Sequence, residues 1–199
     1  MIPESFQQCI DWYASPDGTP VPEVSQYCQT RDVFEGRLSN LLTCARNTGL
    51  AEADAALLTA VAGEIGNNSF DHNLGHWQDQ PGCYFAFALV EPTLLVWIAD
   101  RGRGVLASLR SVVPGLADHQ EALSMAFERV VSGRHPEQRG NGLKFVRSVV
   151  NAHPDRGLVS ISGRALAAFG GLGPALLGNT RWPCQQEHGM LTLLGWRRT

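Results

Sequence analysis

The 199-residue sequence contains no run approaching about 18 consecutive apolar residues, so no membrane-spanning helix is expected. It lacks any Cys-x-x-Cys pair. The five cysteines, at 9, 28, 44, 83 and 184, are scattered and odd in number, which points to neither a zinc site nor a redox couple and suits free thiols in a reducing compartment. Basic excess is also missing: 16 Lys and Arg stand against 19 Asp and Glu, for a formal charge of -3, so no nucleic-acid partner is expected. Arg101, Arg103 and Arg110 form a local basic set that could reach phosphates or an acidic partner surface, although solvated arginines are the commoner outcome. Met1 to Tyr13 has no basic stretch followed by an apolar one, so a signal peptide is not expected, and the default compartment is the cytoplasm. No internal repeat or low-complexity tract occurs.

What is present is an ordinary globular balance, 44% apolar and 18% charged, at a length that suits one domain with a small appendage. Phe6 to Tyr13 is a short amphipathic piece, followed by a turn-rich stretch from Ser15 to Pro20. Residues 35–48 read as a helix with Phe34, Leu38, Leu41, Leu42 and Ala45 on one face. Glu52 to His72 reads as a second helix, in which Leu57, Val61, Ile65 and Asn68 recur at spacings of three and four. Cys83 to Val90 and Leu94 to Ala99 are strand-forming runs joined by Glu91-Pro92-Thr93, and predict an antiparallel hairpin. Residues 119–131 predict a helix, Ser132 to Asn141 a mobile loop, and Leu143 to Val150 a helix with Phe145, Val146 and Val149 inward. Leu158 to Ser162 and Met190 to Trp196 read as the last two strands. The Gly-rich connection from Gly170 to Gly178 has no assignment. Helices followed by strands and helices predict an α/β sandwich with a mixed sheet.

Three segments carry candidate chemistry. In Glu64-Ile65-Gly66-Asn67-Asn68-Ser69-Phe70-Asp71-His72, Glu64 and Asn68 are four apart and share a helix face with Leu57 and Val61, which should point inward. A carboxylate and a carboxamide there supply a proton acceptor and an oxygen ligand for a hard cation. The same Asn- and Asp-rich run also suits a simple helix end. Asp100-Arg101-Gly102-Arg103-Gly104 closes an apolar strand. Its carboxylate can accept from an exocyclic amine, and its glycines admit a flat ring, but Asp and Gly are also plain turn formers. Arg139-Gly140-Asn141-Gly142-Leu143-Lys144 precedes a helix, where exposed N–H groups can hold phosphate oxygens or merely cap the helix.

In this order and spacing the three segments resemble the N, G1 and G2 boxes of the GHKL superfamily of ATPases and histidine kinases. The resemblance covers roughly residues 50–196; near its end, within His188-Gly189-Met190-Leu191-Thr192-Leu193, only Gly189 matches well. It implies a Bergerat-type two-layer α/β (α+β) sandwich, with a mostly antiparallel sheet and helices on one face. It divides the chain into an N-terminal helical extension, 1–49, and a histidine-kinase-like ATP-binding domain, 50–199. The cofactors it implies are ATP and Mg²⁺. By resemblance Asn68 would ligate Mg²⁺, Glu64 would orient or deprotonate the nucleophile, and Asp100 would read the adenine amine. Gly102 and Gly104 would line the base pocket, and Arg139, Gly140, Asn141, Gly142 and Leu143 would form the phosphate lid. His72 would lie near the nucleotide. Asp71, three residues after Asn68, resembles the hydrolytic branch, whereas at 199 residues neither a transducer domain nor a phosphoacceptor hairpin is expected. As a bare catalytic domain it is similar to the anti-sigma-factor serine kinases, which implies a Mg-dependent ATPase or protein kinase switching a partner protein. The alternatives are a nucleotide-dependent binding module without turnover and a pure interaction protein. Oligomerisation stays open.

Overall fold

The computed structural model describes residues 2–128, 142–184 and 186–198. Among these the chain forms seven helices and one six-stranded sheet. In chain order they are α1 (Glu4–Ala14), β1 (Tyr27–Cys28), α2 (Arg31–Asn47), α3 (Glu52–Asp71), β2 (Cys83–Val90), β3 (Thr93–Asp100), α4 (Gly104–Arg110), α5 (His119–Glu128), α6 (Gly142–Asn151), β4 (Arg156–Ser162), β5 (Ala165–Phe169), α7 (Gly173–Gly178) and β6 (Met190–Arg197). No described helix is long and apolar enough to cross a membrane.

The sheet order is β1-β2-β3-β6-β4-β5, and every neighbouring pair is antiparallel. The expected mixed sheet is therefore corrected: β6, the last strand in the chain, inserts between β3 and β4 and runs against both. The predicted β2–β3 hairpin is present, with Val90 opposite Thr93. Side chains alternate along β3. Leu94, Val96 and Ile98 join the core beneath the helices, while Leu95, Trp97 and Ala99 enter a second core on the opposite face. Both faces are buried, which is why β3 reads as a continuous apolar run.

The helical layer is anchored by α3. Its Ala55, Leu58, Val61, Ala62 and Ile65 are buried against the sheet and α2. Glu52 and Asp54 in its first turn complement the helix dipole. It stops at His72, whose N–H reaches back to the Asn68 carbonyl. Thr30 caps α2 by accepting from the Val33 N–H at 3.4 Å. Phe34, Leu41 and Ala45 form the buried stripe of α2.

Helices are not confined to one face, as had been expected. Helix α1 places Phe6, Cys9, Ile10, Trp12 and Tyr13 against Tyr84, Leu95, Trp97, Leu191 and Leu193 on the far side of the sheet, with Leu176 of α7 and Trp182 beside them. That face is largely apolar and needs a cover. Phe145 is also corrected. It is 39% exposed, because the stripe α6 turns inward runs through Val146 and Val150. Four short elements, β1, α4, β5 and α7, had no predicted counterpart; α7 lies in the Gly-rich stretch left unassigned.

Candidate functional site

The antiparallel crossing of β3 and β6 brings the end of β3 beside the start of β6, where Asp100 lies opposite Met190. Asp100 shares a strand face with Ile98 and points at the end of α3. Its Oδ2 accepts from the Ser69 hydroxyl at 3.1 Å. Its Oδ1 accepts from the Asn73 carboxamide at 2.9 Å and from the Gly102 N–H at 2.9 Å. A carboxylate offers about four acceptor sites, so these three internal donors leave room for one more. Burial nonetheless wins: removal from water pushes the Asp100 pKa up to about 6, against the opposing pull of the donors.

Glycines let the surrounding backbone close in. A Cβ on Gly102 would lie 1.9 Å from Asn73 Cγ, so the missing side chain makes room for the carboxamide. Asn73 Oδ1 in turn accepts from the Arg103 N–H at 3.1 Å. Gly189 has φ of 69°, donates to the Gly102 carbonyl at 2.7 Å, and would place a Cβ 2.2 Å from the Asp100 carbonyl oxygen. Only glycine combines that positive φ with that approach. The Ser162 hydroxyl accepts from the Val105 N–H and donates to the Gly189 carbonyl, each at 2.9 Å. It thereby ties β4 to the loop that carries Gly102 and Gly104.

One and a half turns before Ser69, Glu64 reaches the start of α6. A Cβ on Gly142 would meet its Oε2 at 2.4 Å. Glu64 is exposed and Asn68 half-buried. The expectation that both continue an inward stripe is thus corrected: Val61 and Ile65 turn into the core, and Glu64 faces out along the flank that meets α6. Leu143 packs on the main core, and His72 is exposed at the end of α3. Asp71, offered as a branch marker, pairs with Arg31 of α2. Arg139, Gly140 and Asn141, and with them the expected loop from Ser132 to Asn141, lie outside the described residues.

The basic set has internal work. Arg101 is 0% exposed. It pairs with Asp79 at 2.6 Å and donates to the carbonyls of Trp12, Tyr13 and Ser15 at 2.8–3.0 Å. The guanidinium holds the Asp79 carboxyl below the usual range. Arg103 donates to the Ala107 carbonyl, and Arg110 to those of Leu116 and Ala117. Ser69, Asn73 and Ser162 were not predicted. Only the first two carried a faint signal, as small polar residues one and five places after Asn68.

No cluster of three or more His, Cys, Asp or Glu side chains able to hold a metal occurs among the described residues. Mg²⁺ bound through a nucleotide does not need one, since it keeps waters and phosphate oxygens and takes one or two protein ligands. The half-buried Asn68 fits that role. Beside it, the Asn67 Oδ1 is buried without a hydrogen-bond partner among the described residues. Two cavities, of about 260 and 80 Å³, lie elsewhere: one beside β1 and β2, lined by Arg37 and Phe87 among others, the other around Asp54 and Arg156. Neither a family model nor a curated protein matches the chain.

Proposed function

We propose that this protein binds ATP with Mg²⁺ in the manner of the GHKL superfamily and acts as a regulatory ATPase or protein kinase on a partner protein. The observation that supports it is convergence. Three segments far apart in the chain meet at one end of the sheet: the end of α3 with Glu64, Asn68 and Ser69, the Asp100–Gly104 loop, and the start of α6 at Gly142. In this reading Asp100 receives the adenine amine, and the first N–H groups of α6 face the phosphates. Asn68 supplies the protein oxygen for Mg²⁺, whose charge would offset that of the phosphates. Glu64, exposed and beside Gly142, is open to a water or a partner hydroxyl. Positioning and charge carry phosphoryl transfer of this kind, so no covalent enzyme intermediate is invoked.

A second reading, nucleotide binding without turnover, draws on the same exposure of Glu64, because a carboxylate free to move is a poor base until something orients it. The test is calorimetric titration of ATP, with and without Mg²⁺, into the wild type and Asp100→Asn, together with turnover by Glu64→Ala. Mg-dependent binding that Asp100→Asn abolishes is expected, with turnover lost in Glu64→Ala while binding persists. A folded wild type that binds no adenine nucleotide removes the proposal. Binding with no turnover by the wild type leaves only the second reading, and turnover indifferent to Glu64→Ala removes Glu64 from the catalytic role.

A further inference from the structure

Cys28 and Cys83 are distant in sequence, yet they are direct cross-strand partners in the β1–β2 pair. Both side chains are 0% exposed and belong to the main core. The Phe85 N–H donates to the Gln26 carbonyl at 2.8 Å, which makes Gln26 and Phe85 a hydrogen-bonded pair of the ladder. Two residues on, Cys28 and Cys83 are a pair of the same kind, with Cα atoms about 5.5 Å apart. That separation lies within the range of about 4.4–6.8 Å spanned by disulfides. Both side chains enter the same core, and the Arg37 guanidinium of α2 lies beside Cys28.

We propose that Cys28 and Cys83 form a reversible disulfide that clamps the edge strand β1 to β2. The two sulfurs are not equivalent. The neighbouring Cys83 thiol holds the Cys28 thiol below its ordinary range, against burial and with help from Arg37, while the proximity of Cys28 and complete burial push Cys83 up. Cys28, on the two-residue edge strand, is the sulfur a local opening presents first and is the attacking one, with Cys83 resolving. With a peroxide as oxidant, the Cys28 thiolate attacks one peroxide oxygen, the O–O bond breaks and hydroxide leaves, giving a sulfenic acid. The Cys83 sulfur then attacks the Cys28 sulfur. The S–O bond breaks, and water departs carrying the Cys83 proton. The two thiols together lose two electrons, which the peroxide accepts.

Access follows from the strand's place in the sheet. Strand β1 is two residues long and forms the sheet's edge, so a local opening of few hydrogen bonds uncovers the pair. Once formed, the bond would fix the segment that leads through Thr30 into α2. This inference is independent of the proposed nucleotide site.

The experiment treats the folded wild type with hydrogen peroxide and maps its peptides by mass spectrometry without reduction. Cys44 and Cys184, both half-buried, serve as internal controls. A Cys28–Cys83 linked peptide is expected, two hydrogens lighter than its parts and released by dithiothreitol, and Cys28→Ser and Cys83→Ser should each abolish it. Recovery of Cys28 and Cys83 as thiols when Cys44 or Cys184 is oxidised overturns the proposal. So does oxidation of either without the link, or a link that forms only after unfolding in urea. These outcomes are read on the wild type and do not depend on whether either variant folds.

Discussion

Asp100 carries the conflict that defines the candidate site: it is fully buried, yet surrounded by donors that favour its charged form. Its folded pKa of about 6 lies above the ordinary carboxylate value of about 3.9. The folded protein therefore takes up this proton before the unfolded chain does. The contribution of Asp100 to stability is least above pH 6, rises as pH falls through 6, and levels off below about 4, where both states are protonated. Unfolding of the wild type and of Asp100→Asn, compared between pH 7 and 4.5, should show the wild type gaining on the order of 2 kcal/mol relative to the variant. A difference that stays flat with pH would show that Asp100 is ionised throughout. If the carboxylate receives an adenine amine, nucleotide affinity should weaken as pH falls through 6. Asn73→Ala, which removes a donor to the charged form, should move that midpoint upward. Arg101 answers to a different balance. Arg101→Met keeps much of the packing but strands Asp79 and three carbonyls, so chemical denaturation should register a loss of about 3–5 kcal/mol. The strand-end position of Asp100 was legible in the sequence. Its engagement by Ser69 and Asn73 was not, because a helix end and a strand end must first be folded together before their side chains can meet.

Two glycines of α3 test packing at the level of the element. In a helix interior, Gly→Ala normally stabilises by about 0.5–1 kcal/mol. At Gly63 the new Cβ would lie 3.5 Å from Leu38 Cδ1, an ordinary contact, so Gly63→Ala should raise the melting temperature. At Gly66 it would lie 2.0 Å from Phe34 Cζ, and Phe34 is buried with no exposed surface. There the overpacking, about 1–3 kcal/mol, outweighs the helical gain, and Gly66→Ala should lower it. Opposite shifts in thermal melts check the pair, and equal shifts would mean that α2 does not cross α3 at Gly66. The long elements were legible for the same reason that these two sites differ: α3, α2 and the β2–β3 hairpin carry periodic apolar patterns over many residues. Two-residue β1, five-residue β5 and six-residue α7 are too short to show a period. Tertiary pairing imposes their form.

Across the whole molecule, the sheet is covered on both faces, and α1 supplies much of the second cover. Removing residues 1–15 would uncover Tyr84, Leu95, Trp97, Leu191 and Leu193 together and release Arg101 from its carbonyl partners. An apolar face of that kind drives association. The truncated chain should bind a hydrophobic dye and elute early in size-exclusion chromatography, while an unchanged monomer would show that the far face needs no cover. Local periodicity along the sequence determined where the long helices and the central hairpin lie, since spacing, charge and residue type are properties of the chain itself, whereas it was the resemblance that gathered Glu64, Asn68, Asp100 and Gly142 into one expected site. Only the tertiary structure decided that β6 enters the middle of the sheet and that Asn73 fills the space over Gly102. It also turned Arg101 inward and brought Cys28 against Cys83. Each of these depends on contacts between segments far apart in the chain, whose register is set by burying both faces of the sheet at once and leaves no periodic trace in either segment alone.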